Sequence, residues 1–93
     1  MPEERNIIKS VLHQYIPNAR FYIFGSRAKD SAQRYSDLDV IIASDEPIAL
    51  HTLALLADAF SESDLPFMVD LIDWQRISNE FQEHVQREWV VLD

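Results

Sequence analysis

The chain has 93 residues, 47% hydrophobic, 26% charged and 11% aromatic, a composition that excludes intrinsic disorder and has room for one small folded unit. Sixteen acids against eight bases give a net charge of −8, which argues against a broad nucleic-acid-binding surface and favours a basic protein partner or sites for divalent metal. There is no cysteine for a disulfide or thiolate zinc site, no apolar run near the roughly 20 residues that span a bilayer, and no signal-peptide pattern in MPEERNIIKS, so a soluble cytoplasmic domain over residues 1–93 is expected.

The first segment, Pro2 to Ile16, places Ile7, Ile8, Val11, Leu12, Tyr15 and Ile16 at helical spacing. Glu3 and Glu4 lie in its first turn, where the helix dipole favours acids, and Pro17-Asn18 ends it. Arg20 to Phe24 is aromatic and β-branched and reads as a strand that stops at Gly25, the only glycine. A short helical turn from Ser26 to about Asp30 and a polar loop from Ser31 to Ser36 follow. Asp37 to Ala43 is a second strand, and Pro47 to about Glu62 a helix with Leu50, Leu53, Ala54, Leu56, Ala57 and Phe60 inward. Phe67 to Ile72 is a third strand. Trp74 to about Trp89 is a last helix with Ile77, Phe81, Val85 and Trp89 inward, and Val90 to Leu92 would dock on the core. The order α-β-α-β-α-β-α predicts an α/β (α+β) fold, a small mixed sheet of about three strands packed with helices.

The chemistry concentrates between Phe24 and Val40. Gly25-Ser26 stands where a strand turns into a helical segment. Glycine lets backbone approach a ligand closely, and the N–H groups at a helix start attract anions. Asp37 and Asp39 are two apart on a strand, so both carboxylates leave one face. Like charges side by side favour a cation between them, and hard oxygen ligands suit Mg²⁺ bound together with substrate phosphates. If the first two strands pair antiparallel, a phosphate at Gly25-Ser26 and a metal at Asp37 and Asp39 become neighbours. Metal-assisted phosphoryl or nucleotidyl transfer needs that arrangement.

Gly25-Ser26, ten residues, then Asp37-Leu38-Asp39 resembles the signature of the nucleotidyltransferase superfamily related to DNA polymerase β. The surrounding FGSRAKDSAQRYSDLDVII is similar to the minimal nucleotidyltransferases, the MNT family of bacteria and archaea. The likeness is strongest from Phe24 to Ile42 and topological elsewhere. It implies a polymerase β-like nucleotidyltransferase fold and a Mg²⁺-dependent enzyme that moves AMP from ATP to an acceptor hydroxyl. Gly25 and Ser26 would hold the triphosphate, and Arg27 would neutralise phosphate charge. Asp37 and Asp39 would bind two Mg²⁺ ions, with a third carboxylate from a later strand. Asp70 fits that place: on a strand read as buried, its cost is explained by metal ligation or activation of the hydroxyl. Asp73 competes, but it faces the opposite side and fits a helix N-cap.

The resemblance also implies a partner. Minimal nucleotidyltransferases pair with small helical HEPN-domain toxins, which they adenylylate or bind as antitoxins, so a hetero-oligomer is expected. Aromatic residues of the last helix are candidates for the contact. Asp30 stands where the family often has a second glycine, which sustains an alternative: a non-catalytic nucleotide-binding module that neutralises a basic HEPN partner by direct binding. His13, His51 and His84 lie on three different helices without ligand spacing and read as ordinary surface or core residues.

Overall fold

A computed structural model describes residues 2–24 and 38–92. The predicted turn helix and polar loop between them, with Gly25, Ser26, Arg27, Asp30 and Asp37, lie outside the described residues.

Helix α1 (Pro2–Tyr15) turns Ile8 and Leu12 fully inward, as their i, i+4 spacing requires. Strand β1 (Arg20–Phe24) alternates, burying Phe21 and Ile23, and β2 (Leu38–Ala43) buries Leu38, Val40 and Ile42 on the same side. Helix α2 (Leu50–Ser61) adds Leu56 and Phe60, and these residues form one core between the two helices and the sheet. Each fully buried Leu, Ile or Phe contributes roughly 1.5–3 kcal/mol.

The sheet has the order β3-β2-β1-β4. β1 and β2 are antiparallel, with Phe24 opposite Asp39. β3 (Val69–Asp73) runs parallel to β2, the crossover being α2. A short fourth strand, β4 (Val90–Val91), pairs antiparallel with β1. The sheet is mixed, as expected, with one strand more than the sequence reading. That strand is the docked tail: Leu92 donates to Phe21 O at 3.0 Å and is fully buried.

Helix α3 (Asn79–Glu88) covers the other side of the sheet. Trp89, just beyond it, stacks on Tyr22 with centroids 3.7 Å apart and planes 6° from parallel. Phe24 meets Phe81 and His84 edge-on. The predicted single helix from Trp74 is broken. A 3₁₀ turn, Trp74–Arg76, comes first, and Ser78 then starts α3 by accepting from Phe81 N at 3.1 Å. That bond satisfies one of the orphan N–H groups of the first turn.

The α2 reading also needs correction. The helix starts at Leu50 rather than Pro47, and Leu50 is 69% exposed. Ala54 and Ala57 are exposed too, while Leu53 is half-buried. The segment is apolar almost all round, so its periodicity could not tell which side faces the core.

Candidate active site

Strand alternation gives the sheet two chemically different sides. Phe21, Ile23, Leu38, Val40, Ile42, Val69 and Leu71 serve the core under α1 and α2. The intervening residues Phe24, Asp39 and Asp70 belong to the side that carries α3.

Asp39 and Asp70 are register partners on β2 and β3. Neighbouring strands lie about 4.8 Å apart, and register partners in a parallel pair project to the same side. Two carboxylates are therefore side by side, near the N-terminal starts of both strands. The antiparallel pairing of β1 and β2 brings the end of β1 to the same place, because Phe24 is the register partner of Asp39. The end of β1 thus lies directly beside this acidic pair. Two hard oxygen donors so arranged fit a divalent cation such as Mg²⁺. Among the described residues no three His, Cys, Asp or Glu side chains gather into a ligand group, and Asp37, the third expected member, lies outside them.

One supporting argument for Asp70 is overturned. β3 is an edge strand, and Asp70 is exposed rather than buried among apolar side chains. Water can solvate its carboxylate, so burial gives no reason for its presence. Its place opposite Asp39 does.

Among the described residues the buried carboxylate is Asp73, 5% exposed. Its Oδ2 accepts from Ile48 N at 2.7 Å, and its Oδ1 accepts from Gln75 N at 3.0 Å. Arg76 Nε lies 3.3 Å from Oδ2, and the same guanidinium donates to Ile48 O at 2.7 Å. Gln75 Nε2 donates to Ser44 O at 2.7 Å. Asp73 and its neighbours therefore fasten the β2–α2 link to the end of β3. The expected cap is real, although it caps the 3₁₀ turn rather than α3.

The side wall of the site was missed by the sequence reading. Phe24, beside Asp39, meets Phe81 at 6.1 Å and His84 at 5.7 Å, with the rings nearly perpendicular. His84 Nε2 lies 3.8 Å from Glu88 Oε2, one helical turn on. The signal was the Phe81, His84, Val85 spacing, which puts all three residues on adjoining stripes of one helix. Phe81 and Trp89 face the sheet, as their helical spacing predicts.

Residues 6–92 match the family Polymerase beta, Nucleotidyltransferase. The Haemophilus influenzae protein named Probable protein adenylyltransferase MntA is 46% identical over 90 residues, which are 97% of this chain and 79% of that protein. A crystal structure of a toxin-antitoxin with AMP-PNP superposes with a TM-score of 0.81 at 27% identity, covering 96% of this chain and 72% of that one. A tri-AMPylated Shewanella oneidensis HEPN toxin in complex with MNT antitoxin shares the fold, with a TM-score of 0.75 at 23% identity over 99% of this chain and 71% of that one. With the family pattern spanning nearly its whole length, the chain belongs to the polymerase beta nucleotidyltransferase family.

Proposed function

We propose that the protein is a Mg²⁺-dependent adenylyltransferase that moves AMP from ATP to a hydroxyl of a protein partner, a HEPN-domain toxin, and so acts as its antitoxin. The observation that carries the reading is the register pairing of Asp39 with Asp70 at the strand ends that border Gly25-Ser26. The 46% identity to a named protein adenylyltransferase and the likeness to a toxin-antitoxin with AMP-PNP support it. ATP places the reaction in the cytoplasm.

The roles follow from chemistry. Gly25 and Ser26 offer backbone N–H groups to the triphosphate, and Arg27 balances its charge. Asp37, Asp39 and Asp70 would hold Mg²⁺, which supplies Lewis-acid charge at the phosphates and lowers the pKa of the attacking hydroxyl. Asp70, exposed on β3, would take the proton of an incoming hydroxyl. The hydroxyl oxygen bonds to the α-phosphorus, the bond from that phosphorus to the β-phosphate bridge breaks, and pyrophosphate leaves.

The test is transfer of label from ATP radiolabelled at the α-phosphate to a purified HEPN-domain toxin. Label on the partner that disappears with Asp37→Ala/Asp39→Ala supports the reading. A tight complex without label supports the non-catalytic module, the reading that Asp30 favours.

A further inference from the structure

Five large apolar side chains are exposed among the described residues: Val90 and Val91 on β4, at the far edge of the sheet, and Leu50, Leu55 and Met68 on α2 or just before β3. Leu50 and Met68 are each 69% exposed. Leu50, Ala54, Ala57 and Ser61 form one stripe along α2, roughly 18 Å long at 1.5 Å per residue. The stripe runs into a groove of about 550 Å³, whose walls include Ala57, Ser61, Leu65 and Met68 and, among the described residues, no charged side chain. Exposed acids border this surface: Asp58 and Glu62 on the turns beside the groove, and Asp64 in the loop below it. Between Tyr35 and Gln75 the sequence has nine acids and no lysine or arginine.

We propose that this stripe and groove dock an amphipathic helix of the acceptor protein, its apolar side against Leu50, Ala57 and Met68 and its lysines or arginines against Asp58, Glu62 and Asp64. The inference rests on the adenylyltransferase reading and adds the face through which the acceptor is held. An apolar strip edged by a single sign of charge suits an amphipathic helix of opposite charge, recognised through side chains at i, i+3, i+4 and i+7. A cationic rim on the partner would match these three acids. The Met68 end of this surface adjoins the site, whereas α2 itself covers the opposite side of the sheet. Leu38 N donates to Met68 O at 2.9 Å, so the groove is tied to β2 between Asp37 and Asp39, and Asp70 follows two residues later.

The experiment measures binding of a purified HEPN-domain toxin, and label transfer to it, for the wild type, Ala57→Arg, Met68→Lys and Asp58→Lys/Glu62→Lys. Both groove positions are solvent-facing, and circular dichroism checks that each variant is folded. The groove substitutions are expected to weaken the complex by about tenfold or more. The double charge reversal should slow association and flatten its dependence on salt. Variants that bind like the wild type overturn the docking face even if wild-type transfer proceeds. A wild type that binds through this face but transfers no label upholds the docking face and overturns the adenylyltransferase reading. Groove substitutions that abolish self-association while leaving the partner bound overturn the proposal in favour of a second copy of this chain.

Discussion

Asp70 and Asp73 stand three residues apart on one strand and serve opposite sides of the sheet: Asp70 is exposed beside Asp39, while Asp73 is buried against Ile48. The two acids should therefore respond to substitution in opposite ways.

On the proposed reading, Asp70→Asn removes a proton acceptor and a metal ligand from an exposed position. Label transfer should fall by about 100-fold or more, the usual range for loss of a general base. Stability should change by about 0.5 kcal/mol or less, as for most surface substitutions. Single-turnover transfer and thermal unfolding of the same preparation check both halves.

Asp73→Ala should do the reverse. It leaves the buried Ile48 N–H without its acceptor and Arg76 without its ion pair. The expected loss is about 2 kcal/mol, or a fall of roughly 10 °C in the melting temperature of a chain this size. Residual transfer measured well below that melting point should stay within a few-fold of the wild type. A hundredfold loss in folded protein would make Asp73 a participant in the chemistry.

Trp89→Ala removes the stacking partner of Tyr22 and a neighbour of Trp74, whose ring centroid lies 5.0 Å away. Trp89 is half-buried, so the expected destabilisation is about 2 kcal/mol, below the range for a wholly buried tryptophan. Denaturant melts followed by near-ultraviolet dichroism measure it, and an unchanged midpoint would show that the stack contributes nothing.

Asp30→Gly tests the departure from the family pattern at a position outside the described residues. Removing a negative charge next to the triphosphate motif should lower the KM for ATP several-fold, with a smaller effect on kcat. No change in either constant would mean that Asp30 faces away from the nucleotide.

Much of this molecule was legible in its sequence. β1 occupies the residues assigned to it, because Phe21 and Ile23 alternate with their neighbours and Gly25 follows at once. α1 ends one residue short of its expected end, at Tyr15. The Asp37, Asp39 and Gly25 pattern pointed to the end of the sheet where Asp39 and Asp70 now meet. The failures have physical causes. α2 is apolar on nearly every side, so its inward face was decided by the sheet and by α1, which no local window contains. The break after Arg76 turns on Ser78 capping Phe81 N, a signal masked by the helical spacing of Ile77, Phe81 and Val85. Asp70 was read as buried because its neighbours are apolar, but the edge position of β3 is set by strand order rather than by local sequence.

The Asp73 clamp has a consequence for the phase of β3. Side chains alternate with period two, so sliding the strand by one residue would exchange its inner and outer sets. Because an odd number of steps separates the two acids, seating Asp73 against Ile48 N–H forces Asp70 outward, opposite Asp39. The buried acid thus works as an indexing pin: its seat decides which tooth of the strand stands beside Asp39.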